Sequence, residues 1–206
     1  MSEQAQNQEL TRYGLPRWRV SDVLWVAAIG IIGGLLYRFV FPAVSAACGA
    51  GETQPWSSLT NGVWMLAGFI ALGITRRPGS MIIAESLAAL LSVLLSGQTH
   101  AEIELAGKTR MVLHPLVFTG LLQGMGGETI FCLLRYADWR FGVWLISAAG
   151  CAWFSYISGI YVTKCYVLFP ATVQAGIFLG TFLSTAILCA LPAWWLGRWL
   201  FERSQP

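Results

Sequence analysis

Two glutamates and one glutamine interrupt stretches of the chain that are otherwise apolar enough to cross a bilayer. Glu85 stands in AESLAALLSVLLS, and Gln123 and Glu128 stand in PLVFTGLLQGMGGETIFCLLRY (115–136). A carboxylate at membrane depth costs roughly 2.5–3.5 kcal/mol on insertion scales, so each glutamate is a candidate for contact with a ligand. Counted from the expected helix ends at ~1.5 Å per residue, the two glutamates fall at similar depths on consecutive helices and could face one cavity.

Three aromatic residues are candidates for the walls of that cavity: Trp64, Trp153 and Tyr156. With Gln123, they fall in the expected outer half of the membrane. Rings and carboxylates together suit an aromatic cation, because the rings stack on it and the acids balance its charge. Each residue also has an alternative. A membrane glutamate can pair with a hydroxyl or an arginine of the bundle, and a lone aromatic residue more commonly belongs to the interface or the core.

Metal-binding and catalytic motifs are not evident in the sequence. His100 and His114 have no partner at helical spacing, and the sequence contains neither HExxH nor GxSxG. The GMGG stretch (124–127) is not a phosphate loop, because no strand precedes it and no Gly-Lys-Ser/Thr follows it. Cys48 and Cys165 fall in expected outer loops and could pair, but the sequence does not fix the pairing. We therefore expect no enzyme, no cofactor and no metal site.

The elements that must position these residues are membrane helices. Of 206 residues, 56% are hydrophobic and 11% are charged, whereas a soluble domain has about 25% charged residues. The 22 glycines and 10 tryptophans agree with a membrane protein. The pattern predicts an all-α integral membrane protein, with a polar and basic segment (1–20), one six-helix transmembrane domain (21–200) and a short tail (201–206). The helices are expected near 22–44, 60–75, 80–96, 115–136, 141–161 and 171–199.

Six spans put both termini on one side of the membrane, and nine of the thirteen Lys and Arg residues fall on that side. The bias favours a cytoplasmic position for both termini, N-in and C-in. The alternation of Glu102, Ile103, Glu104 and Leu105 in the 97–114 loop predicts a brief strand or a surface lid, and Pro192 is expected to kink the sixth helix. The net charge of +3 is spread over the loops, so we expect no nucleic-acid partner.

Small residues recur along one side of the first helix, at Ala27, Gly30 and Gly34. A small-xxx-small pattern lets another helix approach closely. Spacing alone leaves open whether that helix belongs to the same chain or to another protein.

Two long segments and the fifth helix resemble a known family. GVWMLAGFIALGITRRPGSMIIAESLAALLSVLLSG (62–97) and GLLQGMGGETIFCLLRY (120–136), followed by a Trp- and Tyr-rich helix, are similar to the YkoE family of substrate-binding (S) components of energy-coupling-factor (ECF) vitamin transporters. The resemblance covers residues 23–199. It implies a six-helix S component in the bacterial plasma membrane, without catalytic activity, that binds thiamine or a related pyrimidine such as hydroxymethylpyrimidine at its extracellular side.

The resemblance also implies partners and residue roles. Family members work with a transmembrane coupling subunit and two cytoplasmic ATPases, and they dock through small residues of the first helix, here Ala27, Gly30 and Gly34. The cationic thiazolium of thiamine needs a carboxylate when it is buried. Its aminopyrimidine suits Gln123 and one glutamate. Residues expected at the ligand are Trp64, Glu85, Gln123, Glu128, Trp153 and Tyr156, and which glutamate pairs the cation stays open.

Two other functions compete with the importer subunit. A proton-coupled secondary transporter would use Glu85 and Glu128 as a relay, and it would usually carry an inverted repeat. We find no convincing repeat between residues 22–96 and 112–199. An integral membrane enzyme would need a nucleophile and base, or a metal site, and none is identified.

Overall fold

Six helices and one β-hairpin make up the described part of the chain. The computed structural model describes residues 17–40, 42–43, 58–97, 100–105, 108–162 and 169–203. The expected loop positions of Cys48 and Cys165 lie outside these residues. In chain order the elements are α1 (Val20–Val40), α2 (Ser58–Thr75), α3 (Ser80–Ser96), β1 (His100–Leu105), β2 (Lys108–Leu113), α4 (Pro115–Leu133), α5 (Phe141–Tyr161) and α6. Helix α6 consists of three consecutive segments, Ala171–Thr185, Ala186–Ala190 and Leu191–Arg203, and its candidate membrane span is Ala171–Phe201.

The helices confirm a multi-pass protein of the cell membrane. All of them except α3 are 18 to 31 residues long and apolar enough to cross a bilayer, and α3 is a shorter apolar helix of 17 residues. The count of six spans and the N-in, C-in orientation stay predictions. The hairpin adds two antiparallel strands to the expected all-α fold, with His100 opposite Leu113 and Leu105 opposite Lys108. The brief strand expected in the 97–114 loop is therefore confirmed.

Neighbour relations among the helices form a closed ring. Helix α1 packs on α2 and α3, α3 packs on α4, α4 on α5, α5 on α6, and α6 returns to α2. At the end of the bundle where α2 meets α3, the interior is filled by large apolar side chains, including Phe69, Phe131 and Trp144. Near the hairpin, at the opposite end, the helices enclose a cavity.

Helix α4 lies very close to both of its neighbours because its contact surfaces are glycine. A Cβ atom placed on Gly120 would lie 2.5 Å from Ala89 Cβ, and one on Gly124 would lie 2.7 Å from Ile82 Cα. A Cβ on Gly126 would lie 2.5 Å from the carbonyl oxygen of Gly150 on α5. Real side chains do not fit at these distances, so the glycines set the spacing of α3, α4 and α5, as small residues do in membrane bundles.

The small-residue side of α1 packs inside the same chain. A Cβ on Gly30 would lie 2.8 Å from Leu87 Cδ2, and one on Gly34 would lie 2.8 Å from Leu91 Cβ, both on α3. Both glycines are buried, and Ala27 is half-buried. Helix α3 therefore covers the side of α1 that carries Gly30 and Gly34, and docking of another protein through Ala27, Gly30 and Gly34 stays a prediction.

Helices α2 and α6 depart from regular α geometry inside the bundle. Helix α2 runs as a tighter 3₁₀ segment over Gly62–Met65 and becomes α-helical at Leu66. Helix α6 widens to π geometry over Ala186–Ala190, just before Pro192, where the missing proline N–H prevents a regular hydrogen bond. Such breaks free backbone groups that side chains of other helices can satisfy.

Candidate ligand-binding site

A cavity of about 320 Å³ lies among helices α1 to α5, at the end of the bundle where the hairpin joins α3 to α4. Its volume falls at the lower end of the range usual for small-molecule sites. Polar groups come from each of these helices. The lining residues are Tyr37, Asn61, Trp64, Glu85, Ala89, Ser92, Leu116, Thr119, Gly120, Gln123, Ser155, Ser158 and Gly159.

Glu85 lies at the deep end of this cavity and is only 1% exposed. Its Oε1 accepts a hydrogen bond from the Tyr37 hydroxyl at 2.9 Å, and its Oε2 accepts one from the backbone N–H of Gly68 at 2.9 Å. The Tyr37 hydroxyl accepts in turn from the N–H of Ala67 at 3.2 Å. These two N–H groups open the α-helical part of α2, after the 3₁₀ segment, where amide donors need outside partners. The change from 3₁₀ to α-helix in α2 therefore supplies the N–H donors that hold the Tyr37 hydroxyl and the Glu85 carboxylate in position.

The Glu85 carboxylate can accept further hydrogen bonds beyond those from Tyr37 and Gly68. A carboxylate offers about four lone-pair directions, and two of them are taken by Tyr37 and Gly68. The remaining directions can accept from a ligand amine or balance a ligand cation. Among the described residues that line the cavity, Glu85 is the only carboxylate.

An amide and hydroxyl wall faces Glu85 from α4 and α5. Gln123 Nε2 donates to Ser155 Oγ at 3.0 Å, and the hydroxyls of Thr119 and Ser158 lie 2.6 Å apart and share a hydrogen bond. Because the bond to Ser155 uses one amide N–H of Gln123, its second N–H and its oxygen are left for a ligand. The wall thus offers both donors and acceptors.

The aromatic part of the wall is formed by Trp64 and Tyr37. Their ring centroids lie 5.3 Å apart, and the planes are tilted by 57°. Both residues line the cavity, so a flat ligand can pack against a ring while its polar edge reaches Glu85 or Gln123.

Glu128 does not line this cavity. Its carboxylate accepts hydrogen bonds from the backbone N–H of Gly79, from that of Ile82 at 3.0 Å and from the Tyr136 hydroxyl at 2.6 Å. Glu128 therefore caps the N-terminus of α3, where Gly79 has no side chain to do so. The structure does not bring Glu128 together with Glu85, contrary to the expectation that both face one cavity.

Trp153 and Tyr156 also lie away from the lining. Their rings are 5.8 Å apart, and the ring of Trp153 lies 6.0 Å from that of Phe178 on α6. The Tyr156 hydroxyl donates to Gln174 Oε1 at 2.5 Å, and Trp153 is 51% exposed. These residues form an outer surface of α5 and α6, so of the six expected ligand residues the structure brings together Trp64, Glu85 and Gln123.

Several lining residues were not expected from the sequence. A usable signal was the helical spacing of small polar residues, such as Ser155 with Ser158 and Thr119 with Gln123. Tyr37 carried no such signal, because its contact with Glu85 joins distant parts of the chain. The unexpected polar and aromatic lining residues are Tyr37, Asn61, Ser92, Thr119, Ser155 and Ser158.

The fold and the cavity are those of a multi-pass membrane protein that encloses a space of small-molecule size. A family model described as "ABC-type cobalt transport system, permease component" (ABC_cobalt) matches residues 21–154. The chain belongs to this family.

Two further comparisons are with a related protein and with a solved structure. The chain is 21% identical over 146 residues to the HMP/thiamine permease protein YkoE of Bacillus subtilis (strain 168), a match that covers 71% of this chain and 66% of that protein, just under two thirds of its length. A crystal structure described as an S-component of an ECF transporter matches with a TM-score of 0.74 at 21% identity, over 92% of this chain and 88% of the other. The chain thus has the S-component fold that the sequence predicted.

Proposed function

We propose that this protein is the substrate-binding component of an ECF-type importer and that it captures hydroxymethylpyrimidine or thiamine in the cavity above Glu85. The S-component fold and the name of the Bacillus subtilis relative support the ligand class. The observation that carries the proposal is the buried carboxylate of Glu85, held by two donors and open to a third.

The chemistry of these ligands matches the lining. Both carry an aminopyrimidine, whose amine donates and whose ring nitrogens accept, so Gln123 and Glu85 can each bind one edge of the ring. Thiamine adds a permanent positive charge. A buried carboxylate costs free energy in a bilayer, and a bound cation or amine offsets part of that cost. Trp64 packs on the flat ring.

The family description raises cobalt as an alternative ligand. Divalent transition metals are usually held by several imidazole, thiolate or carboxylate ligands together, whereas the described lining offers one carboxylate, amides and hydroxyls. Within the described ranges, no group of three or more His, Cys, Asp and Glu residues is close enough to hold a metal ion. The donor set of the cavity therefore favours an organic ligand.

The proposed partners are a transmembrane coupling subunit and two cytoplasmic ATPases, with the hairpin end of the bundle facing the extracellular side. Because α3 covers Gly30 and Gly34, a coupling subunit that docks on α1 would meet its exposed side. That side carries Leu24, Ala28, Ile31 and Leu35.

Binding to the purified chain tests the proposal. In detergent, without any other subunit, tryptophan fluorescence is measured during titration with thiamine, hydroxymethylpyrimidine or CoCl₂. We expect saturable quenching by thiamine and competition by hydroxymethylpyrimidine, because Trp64 lies in the cavity wall. Saturation by CoCl₂ with no response to either pyrimidine would overturn the proposal.

A further inference from the structure

A second cavity, of about 480 Å³, lies at the other end of the bundle. It is enclosed by the end of α2, the turn between α4 and α5, the first turn of α5 and the last turns of α6. Its charged lining residues are three arginines, Arg76, Arg140 and Arg198, and one acid, Asp138. Arg140 pairs with Asp138 at 2.6 Å, so the formal charge of +2 in the lining is carried by Arg76 and Arg198.

Arg76 is the most enclosed of these arginines. Its guanidinium carbon lies 4.8 Å from the ring centroid of Trp139 and 3.8 Å from that of Phe201. Its Nη2 donates a long hydrogen bond of 3.4 Å to the Gly197 carbonyl, while its Nε is buried without a hydrogen-bond partner in the described part of the chain. Burial lowers the pKa of Arg76 to about 10, which still leaves the group charged at neutral pH.

The first turn of α5 brings further unsatisfied donors to the cavity. Among the described residues, no side chain caps this helix at Arg140. The N–H of Val143 donates to the Arg140 carbonyl, and the positive end of the helix dipole favours an anion at this end of α5. Trp144, which also lines the cavity, has a buried Nε1 with no hydrogen-bond partner among the described residues. Buried donors rarely go without an acceptor, and an anion would supply one.

Interfacial features surround this cavity. On α6, Trp195 is 62% exposed and Trp199 is 39% exposed, and exposed tryptophans mark the headgroup level of a bilayer. Leu188 and Leu191 are also exposed and lead from the cavity end of α6 toward the membrane interior. A bound headgroup would therefore have an apolar surface beside it for acyl chains.

We propose that this cavity binds the phosphate group of an anionic phospholipid. Arg76 and Arg198 neutralise the phosphate charge, the N-terminus of α5 and Trp144 donate to its oxygens, and the exposed face of α6 receives the acyl chains. Basic pockets between membrane helices bind such headgroups. This site is separate from the cavity above Glu85 and does not depend on which ligand that cavity takes.

Thermal denaturation of the purified full chain tests the lipid site. The melting temperature is measured while short-chain phosphatidylglycerol, phosphatidylcholine with the same chains, inorganic phosphate or a glutamate-rich peptide is added. We expect a saturable rise with phosphatidylglycerol and a much smaller response to the other three. An equal response to phosphatidylcholine would overturn the proposal. An equal response to inorganic phosphate would overturn the lipid source, and an equal response to a glutamate-rich peptide would assign the cavity to an acidic protein segment instead.

Matched variants separate the site from general stability. Arg198→Gln should raise about fivefold the phosphatidylglycerol concentration that gives half of the rise in melting temperature, because each basic residue near an anionic lipid contributes substantially to binding. Trp144→Phe should weaken it without a change of charge. Arg135→Gln is the control, because Arg135 is exposed on the same turn but does not line the cavity. Loss of the response in Arg135→Gln equal to that in Arg198→Gln would contradict the proposal.

Discussion

The hydroxyl of Tyr37 on α1 donates a 2.9 Å hydrogen bond to the carboxylate of Glu85 on α3, at the deep end of the hairpin-side cavity. The same hydroxyl accepts from the N–H of Ala67, and the same carboxylate accepts from that of Gly68. These three hydrogen bonds join α1, α2 and α3, and they satisfy the N–H groups of Ala67 and Gly68, which follow the 3₁₀ segment of α2. Any shift of α1 against α2 must change the surroundings of the carboxylate.

Replacement of Tyr37 by phenylalanine tests this junction. Tyr37→Phe removes the donor to Glu85 and leaves the N–H of Ala67 buried without an acceptor, which should lower the free energy of unfolding by about 1–3 kcal/mol. The measurement is thermal denaturation in detergent, with Tyr161→Phe as the control because Tyr161 is 75% exposed. Equal melting temperatures for the two variants would show that the junction does not stabilise the bundle.

Glu128 should matter for stability and not for ligand affinity. Glu128→Gln weakens the cap on α3 formed with Gly79, Ile82 and Tyr136, and charged hydrogen bonds of this kind are worth roughly 1.5–3 kcal/mol each. We expect a lower melting temperature and, because the site is separate from the cavity, thiamine affinity within about twofold of the unmodified protein. A large loss of affinity at an unchanged melting temperature would contradict this assignment.

The two tryptophans predicted at the ligand should behave differently. Trp64→Ala removes a cavity wall and should weaken thiamine binding by roughly tenfold, since an aromatic contact adds about 0.5–1.5 kcal/mol beyond its buried area. Trp153→Ala removes a ring on the outer surface and should leave the affinity unchanged. Calorimetric titration of both variants measures this, and an equal loss of affinity would place the ligand against α5 and α6.

Helix spacing at α4 gives a prediction about packing. In Gly124→Ala the new methyl group would lie 2.7 Å from the backbone of Ile82, so α3 and α4 must separate and the melting temperature should fall. Gly142→Ala is the matched control, because no atom of the described residues lies within 4 Å of its Cβ position, and it should be neutral or slightly stabilising. Similar melting temperatures for the two variants would mean that the close approach at Gly124 does not stabilise the protein.

Much of the fold could be predicted from the sequence, because apolar length and glycine content act locally. The bounds of α3 and α5 match the expected segments, and the glycines of α4 make the close contacts that their spacing indicates. The packing of Gly30 and Gly34 on α3 could not be assigned, since a small-residue face fits a helix of the same chain as well as one of a partner.

The candidate site was predicted in part for a similar reason. The cost of a buried acid correctly indicates that Glu85 and Glu128 need partners, but it does not tell whether the partner is a ligand or a helix N-terminus. Glu128 accepts hydrogen bonds from N–H groups at the start of α3, whereas Glu85 accepts one from an N–H group of α2 and lies beside a cavity. The 3₁₀ segment of α2, after which the N–H of Gly68 is available to Glu85, has no simple sequence signature.

The affinity of Glu85→Gln for thiamine tests the central claim most directly. The variant keeps the size of the side chain and removes its charge, so thiamine binding should weaken at least tenfold, as expected for loss of a charged interaction worth about 1.5–3 kcal/mol. Hydroxymethylpyrimidine, which carries no permanent charge, should lose less. If Glu85→Gln folds normally and binds thiamine as tightly as the unmodified protein, the proposal that this carboxylate receives the ligand is contradicted.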